Sequence, residues 1–167
     1  TSLSFALTSH ANPVVMEDWT QEVGLSELEG PSYTAGWLDI DLDGDDEPIW
    51  VCNEAIYYLN HNEEGLVVLE SATIDALSDP PLYAQAAGQA SLASGDFDRD
   101  GTIDLLIIEK VARLYRVAEP GHLVEMNVHI PWLPLGPVSF DAAVGDLNAD
   151  GWPDVAIAQA RTATEHF

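Results

Sequence analysis

The sequence has very few cationic side chains. Its 167 residues include 5 Lys and Arg against 29 Asp and Glu, which gives a formal net charge of −24. A nucleic-acid-binding surface needs clustered Lys and Arg, and so does electrostatic attraction to anionic lipid. The charge therefore excludes electrostatic binding of nucleic acid and disfavours docking to anionic lipid. It leaves an acidic protein, or one that holds metal cations.

Cysteine and long apolar runs are scarce as well. The single cysteine, Cys52, cannot form an intramolecular disulfide, and the strand-like residues before it predict a buried, inert thiol. The apolar runs, such as residues 105–108, are far shorter than the roughly 20 residues of a membrane-spanning helix, so we expect no membrane insertion. Apolar residues still make up 47% of the chain, which is enough for one packed domain.

Recognisable catalytic motifs are absent too. The sequence contains no G-x-S-x-G, H-E-x-x-H, P-loop or G-x-G-x-x-G motif, and its five histidines show no metal-ligand spacing. Paired acids can indicate a glycosidase, but the close acidic clusters of this chain all belong to one repeated loop. We therefore predict that the chain is not an enzyme.

That loop is a nine-residue acidic motif present in three copies. The copies span residues 39–47, 96–104 and 146–154 and start 57 and 50 residues apart. Small and apolar residues precede each copy, and a short apolar run follows it. Short strands at regular spacing with turn signals are typical of an all-β protein, and about four strands per repeat fit a propeller blade. We predict tandem four-stranded propeller-type blades whose apolar strands are buried on both faces.

Each copy places side-chain oxygens at positions 1, 3, 5 and 9 and a glycine at position 6. Crowded carboxylates repel one another unless a cation lies among them, and hard oxygen ligands select Ca²⁺ or, less well, Mg²⁺. The glycine allows a sharp turn, and position 7 is expected to bind through its backbone carbonyl. The predicted ligands are Asp39, Asp41, Asp43, Asp45 and Glu47 in the first loop, Asp96, Asp98, Asp100, Thr102 and Asp104 in the second, and Asp146, Asn148, Asp150, Trp152 and Asp154 in the third.

These loops differ from an EF-hand although their first five positions match one. An EF-hand needs a bidentate Glu at position 12 and flanking helices, whereas here the last acid stands at position 9 and leads directly into a strand. We predict up to three Ca²⁺ ions. The third site should be the weakest, because Asn148 replaces a carboxylate there.

The repeat resembles the FG-GAP/VCBS family, the calcium-loop blades of integrin-like β-propellers. The family pattern, roughly G-D-x-N-x-D-G-x-x-D-L, stands at residues 95–105 with Leu114 and Tyr115 downstream, and again at residues 145–155. The first copy has Leu38 before the loop instead of Gly, and Glu47 as its last acid. Residues 16–25 resemble the lead-in of ASPIC/UnbV-type members. The resemblance implies an extracellular or cell-surface protein for adhesion, ligand binding or scaffolding, in which calcium stiffens the blade.

The number of repeats predicts a propeller that is incomplete in one chain. A closed ring needs roughly 4 to 8 blades, whereas this chain holds two complete units and a partial third. Within residues 1–13, Leu3, Phe5 and Leu7 alternate with small residues as in a half-buried strand, and residues 14–167 are expected to form the repeat domain.

Two interpretations of the incomplete propeller stay open. In the first, the N-terminal strand is donated to the sheet edge of another copy, so that the chain self-assembles head-to-tail into a ring or filament. In the second, the chain is a fragment of a larger propeller that docks against other blades and binds a protein or carbohydrate ligand.

The tryptophans bear on a carbohydrate ligand, because indole rings can stack on sugars. Trp37 and Trp50 lie in strand patterns on either side of the first loop and are predicted to be core residues. Trp152, beside Pro153, is predicted to be exposed. The apolar stretch 130–137, which contains Trp132, is interpreted as a connection between blades rather than a protein contact surface.

Overall fold

The computed structural model describes residues 5–7, 15–18, 20–27, 32–52, 55–62, 64, 66–76, 90–108, 112–127 and 138–160. Their regular structure consists of β-strands and one short 3-10 helix, Leu25–Glu27, and these residues contain no α-helix. None of the described segments forms a helix long and apolar enough to cross a membrane.

The strands are, in chain order, β1 (Phe5–Leu7), β2 (Val15–Glu17), β3 (Ser32–Leu38), β4 (Glu47–Cys52), β5 (Ile56–His61), β6 (Val67–Ser71), β7 (Thr73–Asp75), β8 (Ser91–Gly95), β9 (Asp104–Ile108), β10 (Ala112–Glu119), β11 (His122–Glu125), β12 (Val138–Gly145) and β13 (Asp154–Ala160).

These strands form four sheets. The first sheet has the order β3-β4-β5-β6, with every neighbouring pair antiparallel. The second repeats this arrangement as β8-β9-β10-β11 and adds β7, which pairs parallel to β11. The third consists of β12 and β13, and β1 pairs with β2 in a sheet of its own. The all-β fold class with several antiparallel, blade-like sheets is confirmed.

The first and second sheets pack face to face through alternate residues of their strands. Ile49 and Val51 of β4 share one buried cluster with Leu105 and Ile107 of β9. The intervening Trp50 lies in a different buried cluster. Because successive side chains of a strand point to opposite faces, β4 is buried on both faces, as its apolar run predicts.

The outer face of the first sheet is covered by the segment that precedes β3. Val23 packs there with Trp50, Cys52 and Leu59, and Leu25 lies against the same cluster. Cys52 is a buried free thiol, as predicted, and its burial raises the pKa of the thiol. This lead-in segment therefore acts as a cap on the first sheet.

The third sheet is covered on one face only within the described part of the chain. Val155 and Ile157 of β13 pack against the second sheet, whereas Ala156 and Ala158 are exposed. The prediction of burial on both faces is therefore wrong for residues 155–158. The physical reason is that no described sheet follows the third and covers its second face.

The tryptophan predictions have a mixed outcome. Trp50 is buried and Trp152 is 48% exposed, as predicted, but Trp37 is 56% exposed, so its assignment to the core is wrong. Side chains alternate along β3, and the fully buried neighbour Leu38 places Trp37 on the opposite face. Trp19, Trp132 and residues 130–137 lie outside the described residues.

A direct chain crossing joins the first two sheets. The chain leaves the first sheet after Ser71 and enters the second at Thr73. The N–H of Ala72 donates to the carbonyl of Ile56 in the first sheet, and that of Thr73 donates to the carbonyl of Gly121 in the turn between β10 and β11 of the second sheet, each at 2.8 Å. Consecutive residues therefore hydrogen-bond to different sheets.

Candidate metal centre

Each acidic loop connects the first two strands of a sheet. Residues 39–47 join β3 to β4, residues 96–104 join β8 to β9, and residues 146–154 join β12 to β13. The first strand of the second sheet, β8, packs against both β3 and β12. Because each loop joins the same pair of strands in its sheet, the fifteen predicted ligand residues lie in three equivalent turns.

The backbone of the three turns follows one pattern. The fourth residue of each loop has a positive φ, at 63° for Leu42, 62° for Arg99 and 60° for Ala149. The glycine at position 6 also has a positive φ in all three, from 84° to 99°. The sequence indicates the turn at the glycine. It does not indicate the positive φ at position 4, because the side chain at position 4 differs in every copy.

Hydrogen bonds from the loop backbone to loop side chains close each turn. The carboxylate at position 1 accepts the N–H of the glycine at position 6, at 3.1, 3.1 and 2.8 Å in the three loops. The side chain at position 3 accepts the N–H of position 5, and the carboxylate at position 5 accepts the N–H of position 7. The side chains at positions 1, 3 and 5 are therefore held towards the inside of the turn.

The last acid of each loop holds the second residue. Glu47 accepts the N–H of Ile40 at 3.1 Å, Asp104 that of Phe97 at 3.0 Å, and Asp154 that of Leu147 at 2.8 Å. Glu47 and Asp104 are buried.

Burial gives these two acids unusual proton affinities. Desolvation, together with the nearby loop carboxylates, raises the pKa of Glu47 to about 7 and that of Asp104 to about 6. A buried acid beside other acids holds its proton more tightly because the charged form is unfavourable there. A bound cation would reverse this preference, since it favours the ionised form.

Three buried carboxylate oxygens fit the requirement for a cation. The Oδ1 atoms of Asp39, Asp96 and Asp104 are buried and have no hydrogen-bond partner. Such an arrangement is costly, because a desolvated oxygen loses its bonds to water without replacement. The carboxylates of Asp39, Asp41 and Asp43 each offer an oxygen within 4.8 Å of the others, and the same holds for Asp96, Asp98 and Asp104. These residues fit a hard divalent cation with oxygen ligands.

The third loop has the same backbone but a different network. Both carboxylate oxygens of Asp146 accept backbone N–H groups. Oδ1 accepts the N–H of Asp150 at 3.1 Å, and Oδ2 accepts the N–H of Gly151 at 2.8 Å. The amide of Asn148 donates to Asp150 Oδ2 at 2.9 Å. The donor set still offers Asp, Asn and Asp oxygens to a cation, but hydrogen bonds within the loop occupy more of them. That this site is the weakest stays a prediction.

The residue at position 7 of each loop is held by its backbone N–H. The N–H groups of Asp45, Thr102 and Trp152 donate to the carboxylate two residues earlier, at 2.8 to 2.9 Å. Binding of a cation through the carbonyl oxygens of these residues stays a prediction.

Two contacts that the sequence does not predict connect the loops to their surroundings. The N–H of Gly121, in the turn between β10 and β11, donates to the carbonyl of Ile40 at 2.8 Å and so ties the first loop to the second sheet. Arg99 in the second loop lies over the ring of Trp152 in the third. In the sequence, only the recurrence of a glycine before β6 and β11 points to the contact between Gly121 and Ile40.

Comparison with known proteins leaves the family of the chain open. No model of a known protein family matches the sequence, and no characterised protein matches it either. The resemblance of the repeat to FG-GAP/VCBS blades therefore stays a prediction that rests on the loop residues.

Proposed function

We propose that the chain is an extracellular, non-catalytic β-repeat protein whose acidic loops bind Ca²⁺, and that the bound ions stiffen the sheets for a structural or adhesive role. The observation that carries the proposal is the set of buried, unpartnered carboxylate oxygens at Asp39, Asp96 and Asp104. The extracellular location rests on the resemblance of the repeat alone.

Calcium suits these loops for an electrostatic reason. The chain carries a formal charge of −24, and each loop concentrates several carboxylates in nine residues. The unpartnered oxygens would coordinate a divalent cation, and the cation would offset the repulsion among the carboxylates. Since each loop connects the first two strands of a sheet, an ion in the loop would restrain both strands.

Thermal unfolding with and without calcium tests this proposal. We expect millimolar Ca²⁺ to raise the melting temperature and EDTA to lower it, because a ligand that binds only the folded state stabilises it. Asp104→Asn should reduce the calcium effect, whereas Glu64→Gln, an exposed acid outside the loops, should leave it intact. NaCl at matched ionic strength serves as the control. A melting curve that does not change with Ca²⁺ would contradict the proposal.

Self-assembly by strand donation is the second candidate function. In the first two sheets the strands that follow the acidic loops, β4 and β9, pair on both edges, whereas β13 pairs only with β12 within the described residues. The edge of β13 can therefore accept a strand. The N-terminal strand β1 uses one edge to pair with β2, and its other edge is the one we propose to add to β13 of a second copy.

Light scattering on the full chain and on a chain without residues 1–10 tests strand donation. We expect an oligomer for the full chain and a monomer for the shortened one. Leu66→Ser removes an exposed leucine between β5 and β6, away from both strands, and should remain oligomeric. The alternative, a fragment of a larger propeller that binds a protein or carbohydrate, predicts a monomer in all three samples, and that result would sink the strand-donation proposal.

A further inference from the structure

A cationic side chain of the second acidic loop contacts the third acidic loop. The guanidinium carbon of Arg99 lies 4.9 Å from the centroid of the Trp152 ring, a cation–π contact. Arg99 occupies position 4 of the second loop, and Trp152 occupies position 7 of the third. The contact therefore joins two predicted calcium sites rather than a site and an unrelated surface.

The guanidinium also covers the backbone turn of the third loop. A Cβ atom at Gly151 would lie 3.5 Å from Nη2 of Arg99. The N–H groups of Gly151 and Trp152 hold the carboxylates of Asp146 and Asp150, each at 2.8 Å. Arg99 thus packs on the two residues whose N–H groups orient two predicted ligands of the third loop.

The position of Arg99 depends in turn on the closure of the second loop. Its φ of 62° lies in the left-handed region, where an L-residue with a long side chain is disfavoured. The loop maintains this conformation through the bonds from Gly101 N–H to Asp96 and from Phe97 N–H to Asp104. A change in the order of the second loop therefore changes where the guanidinium lies.

We propose that Arg99 is a positioning residue of the third calcium loop and couples calcium binding in the second loop to calcium binding in the third. This inference rests on the proposed function, since it presupposes that both loops bind the ion. An ion in the second loop orders the backbone at Arg99, and the ordered guanidinium holds the turn that orients Asp146 and Asp150. Because coupling between two sites is reciprocal, an ion in the third loop strengthens binding in the second by the same factor.

A double-mutant cycle on the full-length chain measures this coupling. Ca²⁺ binding at the third loop is followed through the backbone amide NMR signals of Gly151 and Trp152, which belong to that loop and whose N–H groups donate to Asp146 and Asp150. Asp104→Asn disables the second loop, and Arg99→Ala removes the guanidinium. Isothermal titration with Ca²⁺ provides a second readout, the total binding by all loops.

We expect Asp104→Asn to weaken Ca²⁺ binding at the third loop about two- to fivefold when Arg99 is present, the range that an exposed cation–π contact supplies. In the Arg99→Ala protein the same substitution should have no effect on the third loop. Because the cycle compares differences, the direct effect of the Arg99 charge on ions in the third loop cancels. Arg116→Ala, an exposed arginine on β10, should leave the coupling unchanged.

The outcomes separate this inference from the proposed function. Ion binding in both loops with no effect of Asp104→Asn on the third loop would overturn the coupling and leave calcium binding intact. Absence of Ca²⁺ binding in the titration would overturn both. Asp98→Asn, at an exposed position of the second loop, repeats the cycle if Asp104→Asn reduces folding, and loss of third-loop affinity in both Arg99 backgrounds would also refute the role of Arg99.

Discussion

A residue with a side chain in the left-handed region costs roughly 1–2 kcal/mol, and each acidic loop includes one. Leu42, Arg99 and Ala149 share this conformation although their side chains have nothing in common. The turn itself therefore imposes the conformation, through the hydrogen bonds of positions 1, 3 and 5. This explains why sequence reasoning predicts the glycine at position 6 but not the equivalent requirement at position 4.

At Gly121 the structure leaves no space for a side chain. Its φ is 71°, its N–H donates to Ile40, and a Cβ at this position would lie 2.7 Å from the hydroxyl oxygen of Tyr58. That hydroxyl is fixed because it donates to Glu70 at 2.6 Å. The turn of the second sheet can therefore approach the first loop only with glycine at this point.

We predict that Gly121→Ala destabilises the chain by about 2–3 kcal/mol, the sum of backbone strain and a steric clash. Gly101→Ala is the matched control, since Gly101 has a φ of 94° but nothing within 4 Å of its Cβ position. It should lose only about 1 kcal/mol, for the backbone term. Urea unfolding in EDTA measures both changes. Equal losses of stability in the two variants would show that the clash of the added Cβ with Tyr58 does not destabilise the chain.

At the level of loops and strands, the two buried loop acids predict an unusual pH dependence. Glu47 and Asp104 have pKa values raised to about 7 and about 6 in the folded, calcium-free chain. A raised pKa means that the folded state binds the proton more tightly than the unfolded state. Their protonation therefore stabilises the fold fully below the unfolded pKa values, and this contribution is lost as the pH rises through about 6 to 7.

We accordingly expect the urea midpoint of the protein in EDTA to fall between pH 5 and pH 8. Glu47→Gln should flatten the upper part of this pH profile, and Glu64→Gln should not. Saturating Ca²⁺ should weaken the dependence, because a bound cation favours the ionised acids. A calcium-free protein that becomes more stable towards pH 8 would refute the assignment of these raised pKa values.

Local patterns in the sequence predict these elements better than the contacts between them. The loops and the strands that follow them show in the spacing of acids, glycine and apolar residues, and both-face burial of β4 follows from its unbroken apolar run. The parallel pairing of β7 with β11 and the exposure of Trp37 are not predictable in this way. Both depend on which sheet lies beside a strand, and that is a property of distant residues.

At the scale of the whole molecule, the uneven covering of the outer sheets is the main structural feature. The first sheet is capped by Val23 and Leu25, whereas the third sheet has exposed alanines on β13, and its loop has Leu147, which is 92% exposed. The equivalent residue of the first loop, Ile40, is fully buried between two sheets. The difference follows from position, since the second sheet covers the first loop and no described sheet covers the third.

The net charge of the whole chain predicts a salt dependence that differs between the two calcium states. A formal charge of −24 destabilises a compact state through self-repulsion, which salt screens. In EDTA, raising NaCl from about 0.01 M to about 1 M shortens the screening length from roughly 30 Å to roughly 3 Å, so the melting temperature should rise. With Ca²⁺ bound, the closest carboxylates are already neutralised in part, and the same increase in NaCl should raise the melting temperature less. Identical salt dependence in EDTA and in Ca²⁺ would show that the ions do not bind among the loop carboxylates, where most of the local repulsion lies.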